Sequence, residues 1–161
     1  MFGGGGAVRV RAGVVLALVG ASLLPPVAAR AAGGCRSGNP LANVYAPSRL
    51  KVLSRCRTVS GTIVYSEGEA DGDVHIYLKV DPRYASMLND GNRRNHRNTL
   101  VLEIVPADQP RCTKGQKVRG GTCTGAHIAT PKSARHVTVT GPYVYDTNHG
   151  WNEIHPVWQV R

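Results

Sequence analysis

The sequence predicts an all-β domain, a small barrel of five strands with one short helix and long basic loops. Three observations carry that prediction. DVHIYLKV (residues 73–80) alternates polar and apolar side chains without a break, the pattern of a strand with one buried face. TVSGTIVY (residues 58–65) and HVTVTG (residues 136–141) are rich in β-branched residues. TLVLEIVP (residues 99–106) is a nearly continuous apolar run of strand length, as expected of a strand buried on both faces.

In chain order, residues 1–30 read as a secretory signal peptide. Arg9 and Arg11 precede an apolar run over residues 13–24, Pro25 and Pro26 end it, and small residues follow. The run is short for a bilayer span, so no transmembrane anchor is expected in the mature chain. Residues 31–55 are expected to form an extended arm, rich in Gly, Pro, Asn and Ser and tied down by Cys35. The domain proper is expected over residues 56–161.

Gly61, inside the first strand, marks an expected bend or bulge. The cluster EGEADG (residues 67–72) turns the chain into the second strand, where Val74, Ile76, Leu78 and Val80 are expected to face inward and Asp73, His75, Tyr77 and Lys79 outward. Asp81 and Pro82 suit the start of a helix carrying Tyr84, Met87 and Leu88, and residues 89–92 (NDGN) are expected to stop it. Arg93, Arg94, His96 and Arg97 then form a basic loop. A fourth strand and a tail over residues 141–160 complete the set. If the tail runs as one strand from His149, then His149, Trp151, Glu153 and His155 share a face, with Ile154, Trp158 and Val160 on the other. Five strands with a long first hairpin suit a Greek-key barrel, OB-fold-like in plan.

The chain has 20 Lys and Arg against 10 Asp and Glu, a formal net charge of +10. Loss of residues 1–30, with three arginines and no acid, leaves a formal +7. That balance suits anionic partners: nucleic acid, another polyanion or an acidic cell-wall component. Export places the four cysteines, Cys35, Cys56, Cys112 and Cys123, in an oxidising compartment, where two disulfides are expected. Three pairings are possible; Cys35–Cys56 with Cys112–Cys123 closes the two most local loops. No C-x-x-C pair is present, so a cysteine metal site is not expected. Localisation is expected to be secreted, extracellular or attached to the cell envelope.

The stretches DGDVHI (residues 71–76), GPYVYD (residues 141–146) and HGWNEIHPV (residues 149–157) resemble a group of small bacterial secreted proteins with DGDxHI and HGWxEIHPV motifs. The resemblance covers roughly residues 56–160 and implies an OB-like fold and export, without an activity. A looser resemblance is to staphylococcal-type nucleases, which also open a strand with a DGD turn. The chain lacks their Arg and hydrophobic-Asp-x-Pro-Glu strand, so no catalytic residue carries over.

Two constellations could carry function. The first gathers Asp73 and His75 with Asp146, His149, Glu153 and His155. Imidazole and carboxylate together suit a divalent metal or a general acid–base pair. The candidate metal ligands are Asp73, His75, His149, Glu153 and His155; the candidate catalytic residues are His75, Glu153 and His155. The same groups could instead hydrogen-bond to one another and hold strands in register. The second is a binding face of His75, Tyr77, Lys79 and Trp151 beside the cations Arg93, Arg94, Arg97, Lys114, Lys117 and Arg119, with aromatic platforms next to charge. A secreted domain that binds an anionic or extended ligand (nucleic acid, polyanion or glycan), without a cofactor, is the leading expectation. A metal-dependent hydrolase, of phosphodiesters for example, is the alternative.

Overall fold

The computed structural model describes residues 1–5 and 33–161. The expected signal peptide therefore lies, apart from its first five residues, outside the described residues. The described chain is all-β with few helical turns. Its strands are β1 (Leu50–Gly68), β2 (Val74–Val80), β3 (Leu100–Ile104), β4 (Lys117–Val118), β5 (Gly121–Thr122), β6 (His136–Asp146), β7 (Asn152–Ile154) and β8 (Gln159–Val160). One α-helix, α1 (Asp90–Asn95), joins 3-10 turns at Pro47–Arg49, Pro82–Met87 and Pro106–Asp108. Among the described residues no helix is long and apolar enough to cross a membrane.

Six strands form one sheet in the order β1-β2-β3-β7-β6-β8, with β6 also pairing back onto β1. β4 and β5 form a separate small hairpin. All pairings are antiparallel except β3 with β7, which is parallel and sets Val101 beside Glu153 and Leu102 beside Ile154. β1 is long enough to pair with both β2 and β6. Its register on β2 shifts between Ile63 and Tyr65, within a few residues of the bend expected at Gly61. Gly61 lies against the Lys79 carbonyl so closely that a Cβ there would overlap it.

Three expectations need correction. The extended arm does not run to residue 55: β1 begins at Leu50, and Lys51, Val52 and Ser54 pair with β6. Along this half of the strand the apolar residues Val52 and Leu53 are adjacent and both exposed, so they do not give the alternation that marks a half-buried strand. The helix is also displaced. Residues 82–87 form a 3-10 turn, and NDGN starts α1 rather than ending a helix. Asn89 caps it reciprocally: its side chain accepts from the Asn92 N–H while the Asn92 side chain accepts from the Asn89 N–H. Lastly, the tail is not one strand, since β7 stops at Ile154 and β8 begins at Gln159.

Both disulfides, Cys35–Cys56 and Cys112–Cys123, are present in the local pairing. The first ties the arm to β1, and the second staples the loop between β3 and β6.

Strand periodicity divides the interior. Val59, Ile63, Ile76, Leu78, Leu100, Leu102, Ile104, Val139, Ile154 and Val157 build one apolar core. Val44, Leu50, Val105, Ala107 and Val144 build a smaller one on the opposite face of the strands. Next to this second core the same strands turn ionisable groups inward.

Candidate functional site

β2, β3 and β7 lie side by side, and their register lines up the second face. His75 stands opposite Glu103, and Val101 stands beside Glu153. Ile76, Leu102 and Ile154 fall on the other face. The DGD turn adds Asp73: Gly72 takes a positive φ of 97°, and the Asp73 N–H donates to Asp71 Oδ1 at 3.1 Å. Asp146, ending β6, accepts the backbone N–H groups of Asn148 and His149 on Oδ1, which fixes the turn before β7. Arg49, from the turn before β1, donates to Asp146 Oδ2.

Together these make a buried ionic cluster. Asp73, Glu103, Asp146, Glu153 and His155 are all within 1% of complete burial, and His75 is 9% exposed. His155 Nδ1 makes a hydrogen bond to Glu153 Oε1 at 3.1 Å. Glu103 Oε2 is nearer to the same nitrogen, at 2.8 Å. That contact is off the N–H line, so it is a charge contact and the directed bond belongs to Glu153. His75 Nε2 lies 2.9 Å from Glu103 Oε1, again without a directed bond, and His75 Nδ1 is 3.4 Å from Glu69. His155 Nε2 faces Asp73 Oδ2 at 3.5 Å. Among the described residues, both oxygens of Asp73, both of Glu103 and His155 Nε2 are buried without a hydrogen-bond partner. The indole of Trp151 donates to Glu153 Oε2 at 3.0 Å.

Proximity and burial act in opposite directions on these groups. Burial pushes Asp73 up to about 7, with His155 partly opposing. Burial and then the charge of Glu103 push Glu153 up to about 7. Burial disfavours a charged His155, but Glu103 and Glu153 outweigh it and raise the imidazole to about 10. Burial also opposes the charge on Glu103, and the two imidazoles overcome it and hold Glu103 well below the ordinary carboxylate range.

The cluster opens toward solvent through a cavity of about 230 Å³ lined by Arg49, Glu69, Asp71, His75, Arg119 and His149. Beyond His149 lies a second cavity of about 590 Å³ that takes in Arg93, Arg94 and Tyr145. His149 borders both. Its ring stacks on Trp151 with centroids 4.4 Å apart and planes 15° apart, and Trp151 in turn meets the edge of His96. α1 holds this corner in place. The buried Asn92 side chain donates to the carbonyls of Thr99 and Asn152 and accepts the Asn152 N–H. Gly91 lies so close to the Gly150 carbonyl that any Cβ would overlap it. Another cavity, about 630 Å³, lies elsewhere among the described residues, between residues 126–135 and β8. No buried carboxylate or imidazole lines it, so it is not the chemical centre.

Of the predicted metal and catalytic residues, Asp73, His75, Glu153 and His155 converge, while His149 reaches the cluster only through Asp146, at 3.1 Å. The predicted outward face of β2 is corrected: His75 and Tyr77 are buried, and only Lys79 is exposed. Tyr77 stacks on Tyr65 at 4.1 Å and donates to Glu67 at 2.7 Å, so it is packed rather than offered to a ligand. Arg93 and Arg94 sit on α1 instead of a loop. Lys79, Arg97, Lys114 and Lys117 line neither cavity. Arg119 does, its guanidinium resting over the Tyr45 ring at 4.1 Å. The sequence reading missed Glu103, the hub, and Arg49. The signal for Glu103 was a lone acid inside an otherwise apolar strand, since a buried acid needs partners.

No protein family model matches the chain, and no curated protein matches it.

Proposed function

We propose that the chain is a secreted, disulfide-tied OB-like domain that binds single-stranded nucleic acid or a similar extended polyanion across the two linked cavities. The fold part of this reading rests on the strand pairings. They run β1-β2-β3-β7-β6 and return to β1, with β3 and β7 parallel, as in a five-stranded OB-like Greek-key barrel to which β8 is added. Secretion rests on the two disulfides and the character of residues 1–30. The same reading keeps the chain with the secreted proteins that carry DGDxHI and HGWxEIHPV motifs.

One observation carries the binding reading. The His149 ring, 45% exposed in its side chain, lies flat on Trp151 between a cavity bearing Arg49 and Arg119 and another bearing Arg93 and Arg94. A flat ring between cations is the arrangement that stacks a base while phosphates are held on either side. Arg119 is oriented by Tyr45, and Arg94 is 75% exposed in its side chain, so both can meet a ligand without rearranging the core.

Fluorescence anisotropy of a labelled oligothymidylate against purified protein tests it. Binding should be measurable at low salt and fall by orders of magnitude as salt is raised, with two to four phosphates neutralised. His149→Ala should weaken it by about 10-fold, in line with about 1–3 kcal/mol for one stacked base. No binding at low salt ends the proposal.

A further inference from the structure

We infer that Asp73, Glu103 and His155 form a binding site for a first-row divalent cation, Zn²⁺ or Mn²⁺, beneath the small cavity. One oxygen of each carboxylate and one imidazole nitrogen lie within 4.8 Å of one another. The cluster has an independent mark of a missing partner. His155 is completely buried, and its Nε2 faces Asp73 Oδ2 at 3.5 Å without a hydrogen bond. Two ligands about 2.1 Å from one tetrahedral ion stand about 3.4 Å apart, so this pair already has the spacing of a ligand edge.

The far side of the ring supports the same assignment. Metal-bound histidines usually donate their other N–H to a carboxylate, which fixes the tautomer and leaves the first nitrogen free to coordinate. Here the directed bond from His155 Nδ1 goes to Glu153 Oε1. Glu103 makes no directed hydrogen bond and holds only charge contacts, Oε2 at 2.8 Å from His155 Nδ1 and Oε1 at 2.9 Å from His75 Nε2. Two hard oxygens and one imidazole suit zinc or manganese over calcium, which prefers oxygen alone.

Charge leads to the same place. Four buried carboxylates, Asp73, Glu103, Asp146 and Glu153, surround one permanent cation, Arg49. Arg49 bonds to Asp146 and lies 4.0 Å from the nearest oxygens of Glu103 and Glu153, so Asp73 is outside its reach. The small cavity above the cluster is lined by Glu69 and Asp71 as well as by Arg49 and Arg119, so two carboxylates stand on a cation's way in. A divalent ion in the site would take the place of the proton on His155 Nε2 and supply the positive charge in its stead. The site lies beneath one of the two cavities of the ligand reading, but Asp73, Glu103 and His155 line neither, so either inference can fail alone.

The test is calorimetric titration of chelator-treated full-length protein with Zn²⁺ and, separately, Mn²⁺. Saturation at one equivalent is expected for at least one ion, and a Co²⁺ titration should give visible absorption bands of a nitrogen- and oxygen-ligated ion. Asp73→Asn, at the rim of the cluster, should weaken binding by 100-fold or more. Glu153→Gln, which touches no ion, should weaken it about 10–100-fold through the orientation of His155. Far-UV circular dichroism of each variant guards against loss of fold. If a variant does not fold, the nitrogen-15 shift of His155 Nε2 in the wild type reads the same contact, and it should move on saturation. No saturable binding overturns the inference. So does one-equivalent binding that Asp73→Asn leaves unchanged, because the ion is then held by exposed histidines such as His136 and His149.

Discussion

The two faces of β2, β3 and β7 are built by the same three strands and reach the same burial, yet they are held by opposite means. Leu102 and Glu103 are neighbours in β3, and both are fully buried. Leu102 enters a core of more than a dozen apolar side chains, where the loss of one leaves the rest in contact. Glu103 enters a group of seven ionisable side chains, each desolvated and dependent on the others. The apolar face is redundant and the ionic face is not. A fold that needs only stability would fill both faces with leucine, since well-packed apolar residues match or exceed a buried ion cluster. The ionic face therefore adds little stability beyond the apolar core, which supports the proposed site.

The largest expected effect comes from removing the hub. Glu103→Ala should destabilise the protein by about 3–5 kcal/mol, because His75 and His155 lose their shared partner in a buried setting. Urea denaturation measures it. Leu102→Ala, on the other face, should cost about 2–5 kcal/mol by opening a cavity. The two faces then separate by ionic composition of the medium: chelator should destabilise wild type and leave Glu103→Ala unchanged, while Leu102→Ala should respond as wild type does. Equal chelator responses in all three would break the distinction.

A middling effect is expected at Asn92, whose amide joins α1 to β7. Asn92→Ala leaves the Asn152 N–H and the Thr99 carbonyl unpartnered in a buried place and should cost about 1–3 kcal/mol per group left unsatisfied. Because α1 also carries Arg93 and Arg94, the variant should bind oligonucleotide more weakly even where it remains folded. Unchanged oligonucleotide affinity in folded Asn92→Ala would mean that α1 is not part of the binding surface.

The smallest effect is expected where the same chemistry meets solvent. Asp81 pairs with His136 at 3.0 Å on the surface and accepts from Ser60 at 2.7 Å. The Ser60 hydroxyl and then His136 hold its carboxyl below the ordinary range. A depressed carboxyl stabilises the fold above the unfolded-state pKa, and that contribution disappears as pH falls through the folded-state value. Asp81→Asn should therefore lower the urea midpoint slightly at pH 7, and the difference from wild type should disappear at the acid end, where the wild-type carboxyl is protonated too. A shift at neutral pH comparable to that of Glu103→Ala would show that burial is not what separates the two pairs.

Much of the fold was legible because β2, β3 and β6 carry their face pattern in the chain, and because both disulfides close the shortest available loops. What stayed hidden did so for physical reasons. The first half of β1 places Val52 and Leu53 side by side and both exposed, so its apolar residues do not alternate with polar ones as in a half-buried strand. NDGN stops a helix as readily as it caps one, and only the reciprocal Asn89–Asn92 bonds decide between them. Asp73, Glu153 and His155 were recognisable as types, yet their convergence depends on β3 and β7 lying parallel. Glu103 could be placed opposite His75 only through the antiparallel register of β2 on β3. Tyr77 and His75 read as outward because alternation identifies two faces but not whether the second is covered; here Arg49, Trp151 and the turns around them cover it.

The distances in sequence that the cluster spans have a consequence for how the protein is made. Arg49 and Asp146, which share an ion pair, are 97 residues apart, and Glu153 and His155 come later still. A ribosome therefore delivers Arg49, Asp73, His75 and Glu103 long before Asp146, Glu153 and His155, the last of which is the imidazole that faces both Asp73 and Glu103. Until the tail is released, the nascent chain can collapse its apolar face but has no means of burying its charged one. Maturation of the site is thus tied to completion of the polypeptide, and chains truncated before Glu153 should remain open and protease-sensitive at β3.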